Sequence, residues 1–253
     1  RRQRQMCIRD SAKGLTLGAW NDGLSHKALD ASSLAGNPPK AWVWGTMFWG
    51  GVDQYNSFAN KGYDVVVTPP DAYYFDMPYE NDPEERGYYW ATRFNDTKKV
   101  FSFMPENVPA NVEWMTDRMG AKISATTGEK THDFLGVQGA LWSETIRTDA
   151  QVEYMVLPRM IAVAERGWHK ASWEEEHKEG ITYTSNVDGH EGTTHLNDNI
   201  AARDADWAHF SNILGYKEMP KLDKAGITYR LPVLGAVIKL SLIHISEPTR
   251  HTR

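Results

Sequence analysis

The chain has 253 residues, 41% of them hydrophobic and 24% charged, with 20 glycines and 12 prolines; that composition excludes a disordered or collagen-like polymer and allows one large domain or two small ones. Its formal net charge is −5. Four arginines stand in the first ten residues and two in the last twelve, so the body between them is more acidic still, which argues against nucleic acid or an anionic membrane surface as its partner.

The two ends differ from the rest. Residues 1–12, opening RRQRQMCIRDS, and residues 241–253, reading SLIHISEPTRHTR, change composition abruptly and are expected to be tails outside the native fold. The single cysteine, Cys7, falls in the first of them. The body therefore offers no thiol for a disulfide or a cysteine–metal site. Nor does any apolar run approach the roughly 18 residues of a membrane-spanning helix.

Between the tails, short apolar runs alternate with helix-like stretches. Strands are predicted over Gly14–Trp20, Ala41–Trp44, Tyr63–Thr68 and Gly136–Trp142, each followed by polar, Gly or Pro residues. The unbroken Val65, Val66, Val67 suits a strand buried on both faces, as in a parallel sheet covered by helices. Helices are predicted over Ser25–Leu34 and Val52–Lys61, the second stopped by Gly62. Ala150–Trp168 carries Val152, Met155, Val156, Met160 and Val163 at helical spacing, and Pro158 either kinks it or begins a second segment. Thr182–Asn199, rich in Gly, Thr and Asn, reads as a loop, and Ala205–Leu214 as a last helix. The fold class is α/β.

Ten tryptophans and eleven tyrosines are a heavy load of flat amphipathic rings, and their placement is informative. Trp20, Asn21 and Asp22 follow the first strand; Trp44 and Trp49 the second; Asp71, Tyr73, Tyr74 and Asp76 the third; Trp142, Ser143 and Glu144 the fourth. In barrels of alternating strands and helices, sites are built at that C-terminal rim. Carboxylates that accept hydrogen bonds from hydroxyls, set among aromatic faces, are what a sugar site requires.

The motifs GAWNDG (18–23), FWGG (48–51), ANKGYDVVV (59–67), PDAYYFDMPYE (70–80), ERGYYW (85–90), LWSE (141–144) and AERGWH (164–169) together resemble the glycoside hydrolase family 20 β-N-acetylhexosaminidases, closest to the chitobiase type. The resemblance covers about residues 13–235 and implies the C-terminal half of a (β/α)8 barrel over 13–228, followed by the start of a small β-domain at 229–240. It also implies roles. Trp20, Trp44 and Trp142 would wall the pocket for the N-acetyl group, with Trp142 as its floor, and Trp90 would stack on the sugar at the leaving-group side. Tyr74 would hydrogen-bond the acetamido carbonyl oxygen, which in this family is the nucleophile, an exception to the two-carboxylate scheme. Asp76 and Glu144 would accept hydrogen bonds from the O6 and O4 hydroxyls of a terminal GlcNAc or GalNAc. The implied partner is a GlcNAc-terminated, chitobiose-like oligosaccharide; no cofactor is implied, and the family's settings are periplasmic, secreted or lysosomal.

One departure matters for chemistry. The family's general acid is a Glu directly after an Asp, and no Asp-Glu dipeptide occurs in this chain; nor does the family's earlier hydroxyl-gripping Arg have a match. The chain alone is expected to be inactive, since a general acid contributes about 10²–10⁴-fold. A sugar-binding relative without the acid is the alternative reading. Of the nine histidines, His169, His177, His190 and His195 match no ligand spacing and are expected to be solvated or structural. Glu174–Glu176 is expected on an exposed helix face, Asp71 and Asp82 in turns beside Pro70 and Pro83, and Glu165 with Arg166 in a buried or barrel-bottom ion pair. Asn95-Asp96-Thr97 is an N-glycosylation sequon, meaningful only in a protein that passes through a eukaryotic secretory route.

Overall fold

Four short strands form a parallel sheet whose spatial order is their chain order: β1 (Gly18–Trp20), β2 (Lys40–Val43), β3 (Asp64–Val67) and, beyond a separate hairpin-like strand β4 (Ser124–Thr126), β5 (Gly136–Val137). The computed structural model describes residues 12–25, 30–34, 38–185 and 197–231. Ala41 pairs with Val65 and Val43 with Val67, and all four side chains are fully buried. Helices cover the sheet: α1 (Asn21–Ser25), α2 (Asp53–Asn60), α3 (Pro70–Tyr73) and α4 (Thr97–Phe101) between strands, and α5 (Asp149–Val156) and α6 (Arg159–Trp168) after β5. α2 buries Tyr55, Phe58 and Ala59, and it ends where Gly62, at φ +85°, donates its N–H to the Ala59 carbonyl at 2.8 Å. Successive parallel strands joined by helical returns make this an α/β chain covering part of a (β/α)8 barrel. Among the described residues β1 pairs with β2 alone, so it is a sheet edge.

Several predicted elements change shape. The strand expected over Gly136–Trp142 pairs for two residues and then once more, through an isolated bridge from Ala140 to Tyr74. The helix expected over Ser25–Leu34 is not continuous: Asp30 accepts the Ser32 N–H at 2.9 Å and caps a single 3-10 turn, Ala31–Ser33. An aspartate before two serines favours such local caps over helix interior. The long helix does break at Pro158, which lacks an N–H, and a second segment begins there.

The expected loop over Thr182–Asn199 is corrected at both ends. Strand β6 (Thr182–Thr184) pairs antiparallel with β4, with Tyr183 and Ala125 turned inward, and the last helix, α7 (Asn197–Ile213), begins at Asn197. The Thr126 and Thr182 hydroxyls meet across this pair at 2.8 Å. Three-residue strands with hydroxyls on one face are too short to show a period of two. Residues 186–196, with His190 and His195, lie outside the described residues. A π-helical turn, Leu214–Glu218, and a short helix, Met219–Ala225, complete the described chain.

The acidic run 174–176 is not an exposed helix face. Glu174 is buried, where it accepts from the Ala171 N–H and from Arg166 Nη1, both at 2.9 Å. Arg166 is itself buried against the Phe101 and Trp173 rings and lies closer to Glu174 than to Glu165, 3.7 Å away. Glu165 thus keeps the expected ion pair with buried Arg166 and also meets exposed His169, at 3.1 Å.

Candidate active site

The side chains that leave the C-terminal ends of the strands converge on one cavity of about 350 Å³, lined by Trp20, Asp22, Trp44, Tyr74, Trp90, Trp142 and Glu144. Its aromatic wall is a chain of tilted and edge contacts. Trp20 meets Trp142 at 5.9 Å, Trp142 meets Tyr74 at 5.8 Å, Tyr74 meets Trp90 at 5.9 Å, and Trp90 meets Trp44 at 6.2 Å. Asp22 closes the circuit by accepting the Trp44 indole N–H at 3.2 Å. Six residues expected at the site thus line one concavity, and Asp22 joins them by fixing the Trp44 ring.

Asp76, the seventh expected residue, lies just behind this wall and is almost wholly buried. One of its oxygens accepts the Trp90 indole N–H at 3.3 Å; the other, Oδ1, has no hydrogen-bond partner among the described residues. Burial pushes its carboxyl up to about 6 against the hydrogen bonds it accepts, with nearby Glu144 adding to the rise. Burial likewise pushes the Tyr74 phenol well up, opposed by a hydrogen bond from Trp142 and aided by the Asp76 and Asp22 carboxylates. Tyr74 therefore keeps its proton and can donate from its O–H.

The segment that carries Tyr74 and Asp76 is held with no slack. Seven successive carbonyls, from Ala72 to Pro78, each accept a hydrogen bond. Asn95 Nδ2 donates to Ala72 at 2.6 Å and to Tyr74 at 3.2 Å. Arg159 donates to Phe75 at 2.7 Å and to Met77 at 2.8 Å. The N–H groups of Ala140, Tyr88 and Asn95 take Tyr73, Asp76 and Pro78 at 2.9, 3.0 and 2.7 Å. Asn95 and Arg159 are both 0% exposed. Neither stands out as a site residue in the sequence, and the only local sign is an arginine directly after the helix-breaking Pro158. Asn95 is thereby unavailable as a glycan acceptor in the folded chain, which corrects the sequon reading.

Asp71 also departs from the expected turn role. It is buried and accepts the Met47 N–H at 3.1 Å, tying the loop after β2 to the exit of β3. Burial raises its carboxyl to about 6 and lowers the neighbouring Lys99 to about 8. Asp82, in contrast, does serve its turn by accepting the Glu84 N–H at 2.8 Å. Among the described residues no group of three or more His, Cys, Asp or Glu side chains could hold a metal ion, and no helix is long and apolar enough to cross a membrane.

Comparison with known proteins bears on the family. The model for the catalytic domain of glycosyl hydrolase family 20 matches residues 5–171, and that for the chitobiase/beta-hexosaminidase C-terminal domain matches residues 218–246. A beta-hexosaminidase of Vibrio vulnificus is 97% identical over 234 residues, 92% of this chain and 28% of that protein. The N,N'-diacetylchitobiase of Vibrio harveyi is 44% identical over 221 residues, 87% of this chain and 24% of that protein. The chain thus spans about a quarter of these relatives' length. Among solved structures, the family 20 β-N-acetylhexosaminidase of Streptomyces coelicolor superposes with a TM-score of 0.55 at 19% identity, covering 89% of this chain and 34% of that one. The exo β-N-acetylglucosaminidase of Vibrio harveyi in complex with N-acetylglucosamine gives 0.50 at 21%, covering 90% and 27%. At such identities the two superpositions speak to the fold, and the sequence matches carry the family: the chain belongs to glycosyl hydrolase family 20.

Proposed function

We propose that this chain supplies the sugar-binding part of an exo-acting β-N-acetylhexosaminidase that removes terminal β-linked GlcNAc or GalNAc from chitobiose-like glycans. The observation that carries the proposal is the cavity itself. An aromatic circuit of Trp20, Trp142, Tyr74, Trp90 and Trp44 surrounds a space of about 350 Å³, with one phenolic donor inside and carboxylates at its edge. Trp20, Trp44 and Trp142 pack the N-acetyl methyl, and Trp90 stacks on the leaving-group side. Glu144 accepts from O4, and Asp76, behind the Trp90 ring, accepts from O6.

The Tyr74 hydroxyl, still protonated, donates to the acetamido carbonyl oxygen and aims it at the anomeric carbon. That oxygen attacks as the glycosidic bond breaks, and water later opens the cyclic intermediate with retention of configuration. Positioning of this kind is worth several kcal/mol of barrier. Protonation of the leaving oxygen needs the Asp-Glu pair, which this chain lacks; alone, the chain binds the sugar and does not cleave it. The C-terminal β-domain begins at residue 229, where the sequence turns strand-like, a reading supported by that domain's match over residues 218–246.

The test has two halves. N-acetylglucosamine added to this chain should shift the indole N–H signals of the pocket tryptophans in a heteronuclear NMR titration, while a chromogenic β-N-acetylglucosaminide stays uncleaved. Indole signals indifferent to the sugar would end the proposal, and hydrolysis by the chain alone would end the part that assigns the missing acid.

A further inference from the structure

Outside the cavity, the loop after β2 presents a second aromatic surface. Trp49 is 59% exposed and stacks on Trp90, with ring centroids 5.9 Å apart and planes within 27°. Phe48 lies 4.5 Å from Trp49, and Tyr88 and Tyr89, beside Trp90, are exposed as well. A lone surface tryptophan needs no explanation, but one continuous with the rim of a ligand cavity marks an extended binding face.

The loop is also rigid, which an incidental aromatic does not require. Its ends cross so closely that a Cβ on Gly45 would stand 2.2 Å from the Gly51 carbonyl oxygen, and one on Gly51 would stand 2.6 Å from the Gly45 Cα. Tyr55 donates its hydroxyl to the Gly45 carbonyl at 2.9 Å, and Asp71 holds the Met47 N–H. Arg118 places its guanidinium over the Phe48 ring at 5.8 Å and reaches the Trp90 carbonyl at 3.5 Å, joining the loop that carries Trp49 to the loop that carries Trp90. A face ordered before the ligand arrives spends no binding free energy on its own ordering.

We infer that Trp49 is a second stacking platform, one ring outward from Trp90, that receives the third sugar of a β-linked N-acetylglucosamine chain on its reducing-end side. This rests on the proposed function, in which the first sugar fills the cavity and the second lies on Trp90. The ligand class follows from the surface. Trp49 offers a flat, largely exposed apolar ring, which suits the apolar face of a neutral pyranose.

The experiment titrates this chain with N-acetylglucosamine and its β-1,4-linked dimer and trimer, following indole N–H signals, and repeats the series with Trp49→Ala and Trp49→Phe. The trimer should bind about fivefold more tightly than the dimer, from one added ring contact. Trp49→Ala should abolish that gain and leave monomer and dimer affinities unchanged, while Trp49→Phe should keep most of it. A trimer no tighter than the dimer overturns the inference and leaves the cavity reading standing. Equal losses for all three ligands in Trp49→Ala, with Trp49→Phe unaffected, also overturn it, because Trp49 would then act through the cavity. A monomer that does not bind at all defeats the proposed function, and the inference with it.

Discussion

Two buried charges sit on either side of the same stretch of backbone and are treated in opposite ways. Arg159 gives hydrogen bonds to the carbonyls of Met155, Phe75, Met77 and Asn95, and its guanidinium packs on the Tyr79 ring at 3.8 Å. Asp76, between two of those carbonyls, keeps one buried oxygen without a partner among the described residues, behind the Trp90 ring that lines the cavity. A buried charge with its hydrogen-bonding capacity filled from within the chain is structural. One left short of partners stores an unmet demand that a ligand hydroxyl can satisfy. The contrast separates the residue that holds the site from the residue that uses it, although both are buried ions.

The sharpest way to break this comparison is to remove the holding residue. Arg159→Met keeps much of the volume but strips donors from four buried carbonyls, each costing about 1–3 kcal/mol when left unmade. With partial relaxation the expected loss is about 4 kcal/mol in urea unfolding monitored by tryptophan fluorescence. A loss under about 1 kcal/mol would mean that those carbonyls find water, and that the segment from Ala72 to Pro78 is not held as described.

Tyr74→Phe probes the using side. Its hydroxyl faces the cavity, so stability should change by less than about 1 kcal/mol. In a full-length family 20 enzyme that carries both this tyrosine and an Asp-Glu pair, the proposed function expects kcat to fall by about 10²-fold with a much smaller change in KM, because the hydrogen bond matters most as the acetamido oxygen attacks. An unchanged kcat would remove Tyr74 from the reaction.

The two sides also differ in how far the sequence discloses them. Trp20, Trp44, Tyr74, Trp90, Trp142 and Glu144 are legible because each follows a short apolar strand or belongs to a motif, and parallel strands necessarily deliver their exits to one rim. Asn95 and Arg159 are not, since the carbonyls between Ala72 and Met77 that their side chains hold lie 21 to 84 positions away and no local periodicity encodes such a contact. Asp71 looks like a turn residue for the same reason: its partner, Met47, is on another loop. The strands Val65–Val67 and Ala41–Val43 are plain from their apolar runs, whereas the pair Ser124–Thr126 and Thr182–Thr184 joins polar segments nearly sixty residues apart. Glu174 reads as exposed because a run of three acids ordinarily faces solvent. Here Arg166 and the Ala171 N–H draw the first of them inward.

Asp76→Asn probes the unpartnered carboxylate itself. Burial raises the folded-state carboxyl to about 6 from the ordinary 3.8, so between those values the folded chain binds the proton more tightly than the unfolded chain. This group's contribution to stability therefore declines as pH rises from about 4 to about 6 and stays low above that, where the ion is buried at full cost. Asparagine carries no charge, and its amide oxygen can still accept the Trp90 N–H. The variant should consequently be more stable than the parent at pH 7, by about 2 kcal/mol, and the difference should vanish near pH 4. Sugar affinity should move the other way. The parent should bind N-acetylglucosamine more weakly as pH falls through about 6, while the variant binds weakly at every pH. Paired urea titrations and NMR titrations at pH 4, 6 and 7.5 read both quantities. A variant that matches the parent in stability and affinity across that range would show that Asp76 is satisfied within the fold, as Arg159 is, and is not held in readiness for a ligand.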